Sequence, residues 1–252
     1  QFNTKNNLYI SGYYSRDKFS LNNDTTFSYS NRNLSVKYKH TFNNKWGATV
    51  VAGYDGYKYQ IESEKDKINA HELKFDIQQL NFKADFTHYL SNHTIDFGIS
   101  TINYKLNPGS YQPNSPESLI VPDVLPAENA EESAAYLSDK WNITPDLTLQ
   151  AGIRYSLFNV LGPKDVNTYA PGLPKEPDNL VETTSYESGK VINTYHGPEY
   201  RLSMRYSLTE SFSVKAGYNS LRQYIHMLSN TTAISPTDIW KLSDANIRPQ
   251  KG

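Results

Sequence analysis

The chain has 252 residues, 25 basic and 26 acidic, for a formal net charge of -1, and it has no cysteine. This balance gives no global field for nucleic acid, and the missing thiols exclude a disulfide framework and thiolate metal sites. Hydrophobic residues make up 37 %, tyrosine reaches 20, and no run approaches the roughly 20 apolar residues of a membrane helix, a pattern that suits an alternating barrel at least as well as a soluble sandwich.

From its start the chain reads in twos, the period of a strand with two chemically different faces. Leu8, Ile10, Gly12 and Tyr14 alternate with Tyr9, Ser11 and Tyr13, and a polar loop is expected from Asp17 to about Thr26. Leu34, Val36, Tyr38, His40 and Phe42 then face away from Ser35, Lys37, Lys39 and Thr41, up to a tight turn at Asn43-Asn44-Lys45. Ala48, Val50, Ala52 and Tyr54 lead to Tyr57, Tyr59 and Ile61, and the change of parity near Gly56 predicts a β-bulge. Glu62 to Asn69 is a charged loop. Leu73, Phe75 and Ile77 open the next strand, which changes parity at Gln78-Gln79 and continues with Leu80, Phe82, Ala84 and Phe86 opposite Asn81, Lys83, Asp85 and Thr87.

After a turn at Leu90-Ser91-Asn92, Ile95, Phe97 and Ile99 oppose Thr94, Asp96, Gly98 and Ser100. A proline-rich loop is expected from Asn107 to about Asn129. Ala135, Leu137, Trp141 and Ile143 follow, with Asp139 out of pattern. The turn Thr144-Pro145-Asp146 leads to Leu147, Leu149, Ala151, Ile153, Tyr155 and Leu157, opposite Thr148, Gln150, Gly152, Arg154 and Ser156. A second long loop, Gly162 to about Asn193, precedes the clearest hairpin. There Tyr200, Leu202, Met204, Tyr206 and Leu208 alternate with Arg201, Ser203, Arg205 and Ser207. Beyond Thr209-Glu210-Ser211, Phe212, Val214, Ala216 and Tyr218 alternate with Ser213, Lys215, Gly217 and Asn219. A third long stretch runs from Met227 to Gly252.

About nine strands result, and short turns alternate strictly with long loops. Outer-membrane barrels have short periplasmic turns and long outer loops, whereas soluble sandwiches rarely sort loops so cleanly. Fourteen residues at about 3.3 Å each, tilted by about 40°, span roughly 35 Å, more than an apolar band of about 25 Å. Phe42, Trp46, Trp141, Tyr206, Phe212 and Tyr218 near strand ends suit interfacial girdles. Charges keep to one parity, because a charge on the lipid face costs about 2–4 kcal/mol at midplane. Nine strands do not close an even-numbered barrel, and open edges in lipid are costly. The expected fold is therefore an all-β, antiparallel, up-and-down transmembrane β-barrel, present as an incomplete arc of about nine strands with long extracellular loops. Residues 1–252 all belong to it, and both ends read as cuts inside a longer protein.

Several stretches, in order, resemble the TonB-dependent receptors: HTIDFGIS (His93 to Ser100), ESAAYLSDKWNITPDLTLQAGIRYSLF (Glu132 to Phe158), YRLSMRYSLTESFSVKAGYNSLRQYIHMLSN (Tyr200 to Asn230) and SPTDIWKLSDANIRPQ (Ser235 to Gln250). The first third matches in pattern only. The resemblance implies a 22-stranded outer-membrane barrel of a Gram-negative bacterium, with an internal plug that this chain lacks. It implies import of a siderophore, glycan or other nutrient, driven by an inner-membrane energy-coupling protein. Its other implied partners are outer-membrane lipid, the plug and the remaining barrel strands. A surface lipoprotein accompanies some family members. No cofactor, nucleic acid or enzymatic activity is implied.

Lys83, Asp85, Arg154, Arg201, Arg205 and Lys215 share the polar face, as lumen-facing candidates or as the solvated face of a soluble sheet. Tyr111, Tyr169, Tyr186 and Tyr195, in or beside long loops, and Trp240 in the terminal one are candidates to stack on a ligand or to pack within the loops. His88 and His93 flank a tight turn, but two imidazoles without a third ligand read better as interfacial polar residues. Asp123, Glu128, Glu131 and Glu132 crowd one loop, where a solvated loop is a better reading than calcium. Nothing orders the serines, histidines and aspartates into a triad. Two other classes stay open: a soluble β-sandwich or adhesin-like binding module, and an outer-membrane enzyme of the lipase or protease type.

Overall fold

The alternation runs further along the chain than its apolar residues mark. The computed structural model describes residues 4–20, 24–228 and 240–252. In chain order it contains β1 (Asn6–Ser20), β2 (Thr25–Asn43), β3 (Trp46–Ser63), β4 (His71–Tyr89), β5 (His93–Pro113), β6 (Asp123–Val124), β7 (Glu128–Asn142) and β8 (Leu147–Leu161). Then come β9 (Lys164–Tyr169), β10 (Leu180–Tyr186), β11 (Val191–Thr209), β12 (Phe212–Ser220), β13 (Arg222–Gln223), β14 (Ile225–Met227), β15 (Trp240–Leu242) and β16 (Gln250–Lys251). One antiparallel sheet runs β1-β2-β3-β4-β5-β7-β8-β11-β12, with β6 beside β5. Among the described residues β1 pairs only with β2 and β12 only with β11, so the arc is open at both edges.

The four tight turns lie at one end of the sheet; the Leu90–His93 turn closes through backbone, Leu90 N–H to the His93 carbonyl at 2.9 Å, and side chains close the other three. Asn43 Oδ1 accepts from the backbone N–H of Lys45 and Trp46 at 2.8 and 3.0 Å. Thr144 Oγ1 accepts from Leu147 N–H at 3.0 Å, and Thr209 Oγ1 from Phe212 N–H at 3.1 Å. These side chains supply the turn partner that the backbone lacks.

At the other end the expected loops are shorter than the sequence suggested. β1 and β2 extend into the Asp17–Thr26 stretch and pair Phe19 with Phe27; residues 21–23 lie outside the described residues. β5 continues to Pro113, and the β9–β10 hairpin occupies much of the second loop before β11 begins at Val191. Residues 229–239, part of the third stretch and of the Ser235–Gln250 motif, also lie outside the described residues.

There is no bulge at Gly56. Register is continuous through Arg32↔Gly56↔Gln78, and β4 is equally unbroken against β3 at Gln78 and Gln79. What changes there is the surroundings. On one face of β3, Trp46 to Tyr54 is apolar and Lys58, Gln60 and Glu62 are polar; on the other, Thr49 and Asp55 give way to Tyr57, Tyr59 and Ile61. That second face carries the packed core: Tyr59, Phe75, Tyr104, Leu106, Phe158 and Val160, with Tyr224 and Leu242 folded back onto it. The apolar residues swap faces because the first face is greasy near the turns, while the second is greasy only near the loops. We call the core-bearing face inner and the opposite face outer.

No second layer of the described residues covers the outer face near the turns. Ile10, Leu80, Leu202 and Phe212 are 51–68 % exposed. The band slides as it crosses the sheet. Its loop-side edge is Tyr54 beside Leu80 in β3 and β4, but Tyr200 in β11, which is level with Ile153, Leu137, Phe97, Phe86 and Ala48. Such a stagger is what tilted strands require to keep one band level around a barrel. Trp46, Trp141, Tyr206 and Phe212 mark its turn-side rim.

The expectation that charges keep to one parity does not hold. Asp139 is on the outer face, next to Trp141, where its Oδ2 lies 2.7 Å from His93 Nδ1. Pairing at the rim, where water is near, lowers the cost of a carboxylate there. Loop-side of the band, Arg16, Arg32, Lys58, Lys74 and Lys105 also share the outer parity.

Candidate functional site

Register places all six charged candidates on the inner face. Lys83 and Asp85 lie opposite Ser100 and Gly98, Arg154 lies between Tyr136 and Glu199, and Arg205 lies opposite Lys215. The structure divides them into two groups. Lys83 Nζ is 3.0 Å from Asp85 and 5.5 Å from the ring centre of Tyr136, while Arg154 bridges Glu132 at 2.8 Å and Glu199 at 3.0 Å. Tyr104 donates to the second Glu132 oxygen at 3.1 Å. Arg201, Arg205 and Lys215 are exposed and have no acidic partner among the described residues.

Gly98 makes the first group possible. It lies between Asp85 and Tyr136 in the register, and the Tyr136 hydroxyl donates across it to the Asp85 carboxylate. A Cβ at Gly98 would strike the Ala84 carbonyl oxygen and stand 3.0 Å from the tyrosine ring. Gly98→Ala is therefore expected to cost about 1–3 kcal/mol, the range for overpacking. Gly217→Ala, whose nearest contact would be 3.6 Å, should change little. Urea midpoints of the intact protein in lipid bilayers check the difference, and equal midpoints would discount the Tyr136 crossing.

A third group escaped the sequence reading. Glu128 is 6 % exposed and accepts from Lys241 Nζ and from Leu242 N–H at 2.9 Å. Asp244 lies 3.1 Å from Lys241 and 3.3 Å from Lys164. Tyr195 donates to the Asp244 carbonyl at 2.7 Å. These contacts, together with Tyr224 stacked on Phe158 at 4.6 Å, hold the segment after β12 against the inner face. Two lysines flanking two carboxylates in a buried place was not visible in sequence, because Glu128 and Lys241 are 113 positions apart.

The expected acidic loop is not a loop. Glu128 begins β7, where alternation sends Glu128 and Glu132 inward to their cations and Glu131 outward. Asp123 is exposed in β6. His88 and His93 also part: His88 stacks on Trp46 at 4.0 Å, and His93 on Trp141 at 5.4 Å beside Asp139. No metal-binding group of three or more such residues occurs among the described residues.

The five aromatic loop candidates do not converge, and Tyr195 is spent on the Asp244 carbonyl. Tyr111 lies in β5 against His71 at 5.1 Å, Tyr169 and Tyr186 stand at the ends of the β9–β10 hairpin, and Trp240 packs on the core. All five are half-buried. His226 Nε2 lies 2.9 Å from Ser243 Oγ, but both are buried, which makes the pair a clasp for β14 and β15.

A family model described as TonB dependent receptor-like, beta-barrel, matches residues 1–252. No curated protein matches by sequence. Among solved structures the chain is similar to the copper transporter OprC, with a TM-score of 0.57 and 10 % identity over 88 % of this chain and 42 % of that one. It is similar to the ferripyoverdine receptor of the outer membrane of Pseudomonas aeruginosa, with a TM-score of 0.52 and 16 % identity over 86 % and 36 %. For the ferric citrate transporter FecA the values are 0.50 and 13 %, over 87 % and 37 %. These identities speak to fold alone, and the chain spans less than half the length of each.

Proposed function

The chain belongs to the TonB-dependent receptor β-barrel family, and from that premise we propose that it is one arc of the wall of an outer-membrane receptor importing a specific nutrient. The observation that carries this reading is the two-sided sheet: a staggered apolar band outside, charged groups inside, tight turns at one end. The rest of the wall and a plug lie outside this arc. Without neighbours, β1 and β12 would each expose a row of unpaired backbone groups to lipid, each group costing several kcal/mol. Family members of this kind are receptors and transporters rather than enzymes.

In this reading Lys83, Asp85, Arg154, Arg201, Arg205 and Lys215 line the bore. The unpaired cations among them face the plug, through which an inner-membrane energy-coupling protein acts. Tyr111, Tyr169, Tyr186 and Trp240 belong to the cell-exterior end, where ligand or a surface lipoprotein arrives.

The test uses the intact protein in its own cells, with single cysteines added to a stretch that has none. A membrane-impermeant maleimide should label Glu117→Cys and Glu176→Cys on whole cells, and Asn44→Cys and Asp146→Cys only after the outer membrane is opened. Labelling of both pairs on whole cells would remove the membrane assignment. Deleting the gene should abolish uptake of one nutrient. Uptake that persists with a protonophore would rule out energy-coupled import.

A further inference from the structure

The outer face carries an arrangement that neither a bore nor a lipid wall explains. Directly loop-side of the apolar edge formed by Leu34, Tyr54 and Leu80 runs the cross-strand row Tyr14–Arg32–Gly56–Gln78–Lys105. The next row is Arg16–Ser30–Lys58–Asp76–Asn107. Arg16, Arg32 and Lys58 thus fall on one patch across β1, β2 and β3. They surround a recess of about 200 Å³ with Tyr14, Ser28 and Gln60. A second recess of about 240 Å³ adjoins it between Arg32, Lys58, Tyr54, Lys74 and the Asp76 carboxylate.

Three facts point to an anion. None of Arg16, Arg32 and Lys58 is ion-paired among the described residues, although Asp76 stands opposite Lys58 in the register. Asp76 is engaged elsewhere, accepting from Gln78 at 3.2 Å and Asn107 at 2.7 Å. The recess also offers neutral donors, Ser28 and Ser30, in addition to two guanidinium forks suited to phosphate oxygens, while Gln60 is held by Glu62 and Glu72. Finally, the site opens onto hydrocarbon. Leu34, Val36, Leu80 and Phe82 continue straight down the same face and are 38–59 % exposed. A free anion has no use for that neighbour, whereas an acyl lipid does.

We propose that Arg16, Arg32 and Lys58 bind the phosphate of an outer-leaflet lipid whose acyl chains lie along Leu34, Val36, Leu80 and Phe82. The Tyr54 hydroxyl rises over Gly56, where a Cβ would meet it at 2.9 Å, and sits at the junction of headgroup and chains. The site rests on the outer face being the lipid side and does not depend on what the receptor imports.

The experiment is native mass spectrometry of the intact, detergent-purified protein titrated with lipid A, with fully dephosphorylated lipid A as the second ligand. Wild type should prefer the phosphorylated form. The triple variant Arg16→Ser, Arg32→Ser, Lys58→Gln should lose that preference, with affinity falling about a hundredfold, since each cation near an anionic surface contributes about fivefold. All three side chains lie outside the packed core, and gel mobility without heating verifies that the variant folds. A control triple on the inner face, Arg201→Gln, Arg205→Gln, Lys215→Gln, should bind as wild type does. Retained preference in the outer triple, or its loss in the inner one, overturns the site. Displacement of the lipid by millimolar inorganic phosphate also overturns it, as it would reveal a free-anion site.

Discussion

Arg154→Met is expected to destabilise the intact barrel by about 3–5 kcal/mol, the cost of stranding a buried charge by removing its partner. Arg154 serves two carboxylates at once, and their side chains are only 13 % and 5 % exposed at Glu132 and Glu199. Methionine fills much of the same space, so the loss will come from charge and not from a cavity. The triple change Arg154→Met, Glu132→Gln, Glu199→Gln should recover most of the stability, because a neutralised site has no stranded charge left. Effects within such a triad do not add, and a double-mutant cycle will show strong coupling. Urea midpoints in bilayers read all of these. A single variant within about 0.5 kcal/mol of wild type, the ordinary range for surface changes, would demote the triad to decoration.

Which parts of this molecule could be read from its residues follows from the range of the interactions involved. The strands and the four turns were legible because alternation and Asn or Thr turn chemistry act over a few positions; Asn43, Thr144 and Thr209 announce their turns locally. Which residues share a face was legible for the same reason, and Lys83, Asp85, Arg154, Arg201, Arg205 and Lys215 do share one. The partners of those charges were not, since Arg154 meets Glu199 across 45 positions.

The apparent slips at Gly56 and Gln78 have a different origin. Periodicity reports that a residue is apolar, not which medium or neighbour makes it so. Tyr59 and Phe75 are apolar because they pack on Tyr104 and Leu106, while Tyr54 and Leu80 lie on the outer face, where Leu80 is 59 % exposed and no packed core reaches them. One unbroken strand passing through both surroundings imitates a bulge. Asp139 misled in the opposite sense. Its place on the outer face is tenable only because His93, on the neighbouring strand, meets it at the rim.

Glu128→Ala is expected to release the segment from Trp240 to Lys251 from the inner face, at a cost of about 3–5 kcal/mol to its docking. Lys241 and Lys164, 23 % and 19 % exposed, would be left with Asp244 as their remaining carboxylate, and Leu242 N–H would lose its acceptor. Trypsin reads this directly in the intact protein, because the Lys241–Leu242 bond lies in the segment: wild type should resist there and the variant be cut.

The docking should also depend on pH in two steps. Burial, then the Lys241 charge, holds His226 below its ordinary 6.5. The released segment therefore takes up a proton more readily than the docked one, and docking weakens as pH falls below 6.5. His226→Gln, which can still bond Ser243, should remove that step. Burial pushes the Asp244 carboxyl up, but the Asn246 N–H, Lys241 and Lys164 outweigh it and hold the group below its ordinary 3.8. Its contribution is thus complete above pH 3.8 and lost as pH falls through the lower docked value. A segment as resistant to trypsin in Glu128→Ala as in wild type would show that the stacked rings of Phe158 and Tyr224 hold it without the ions.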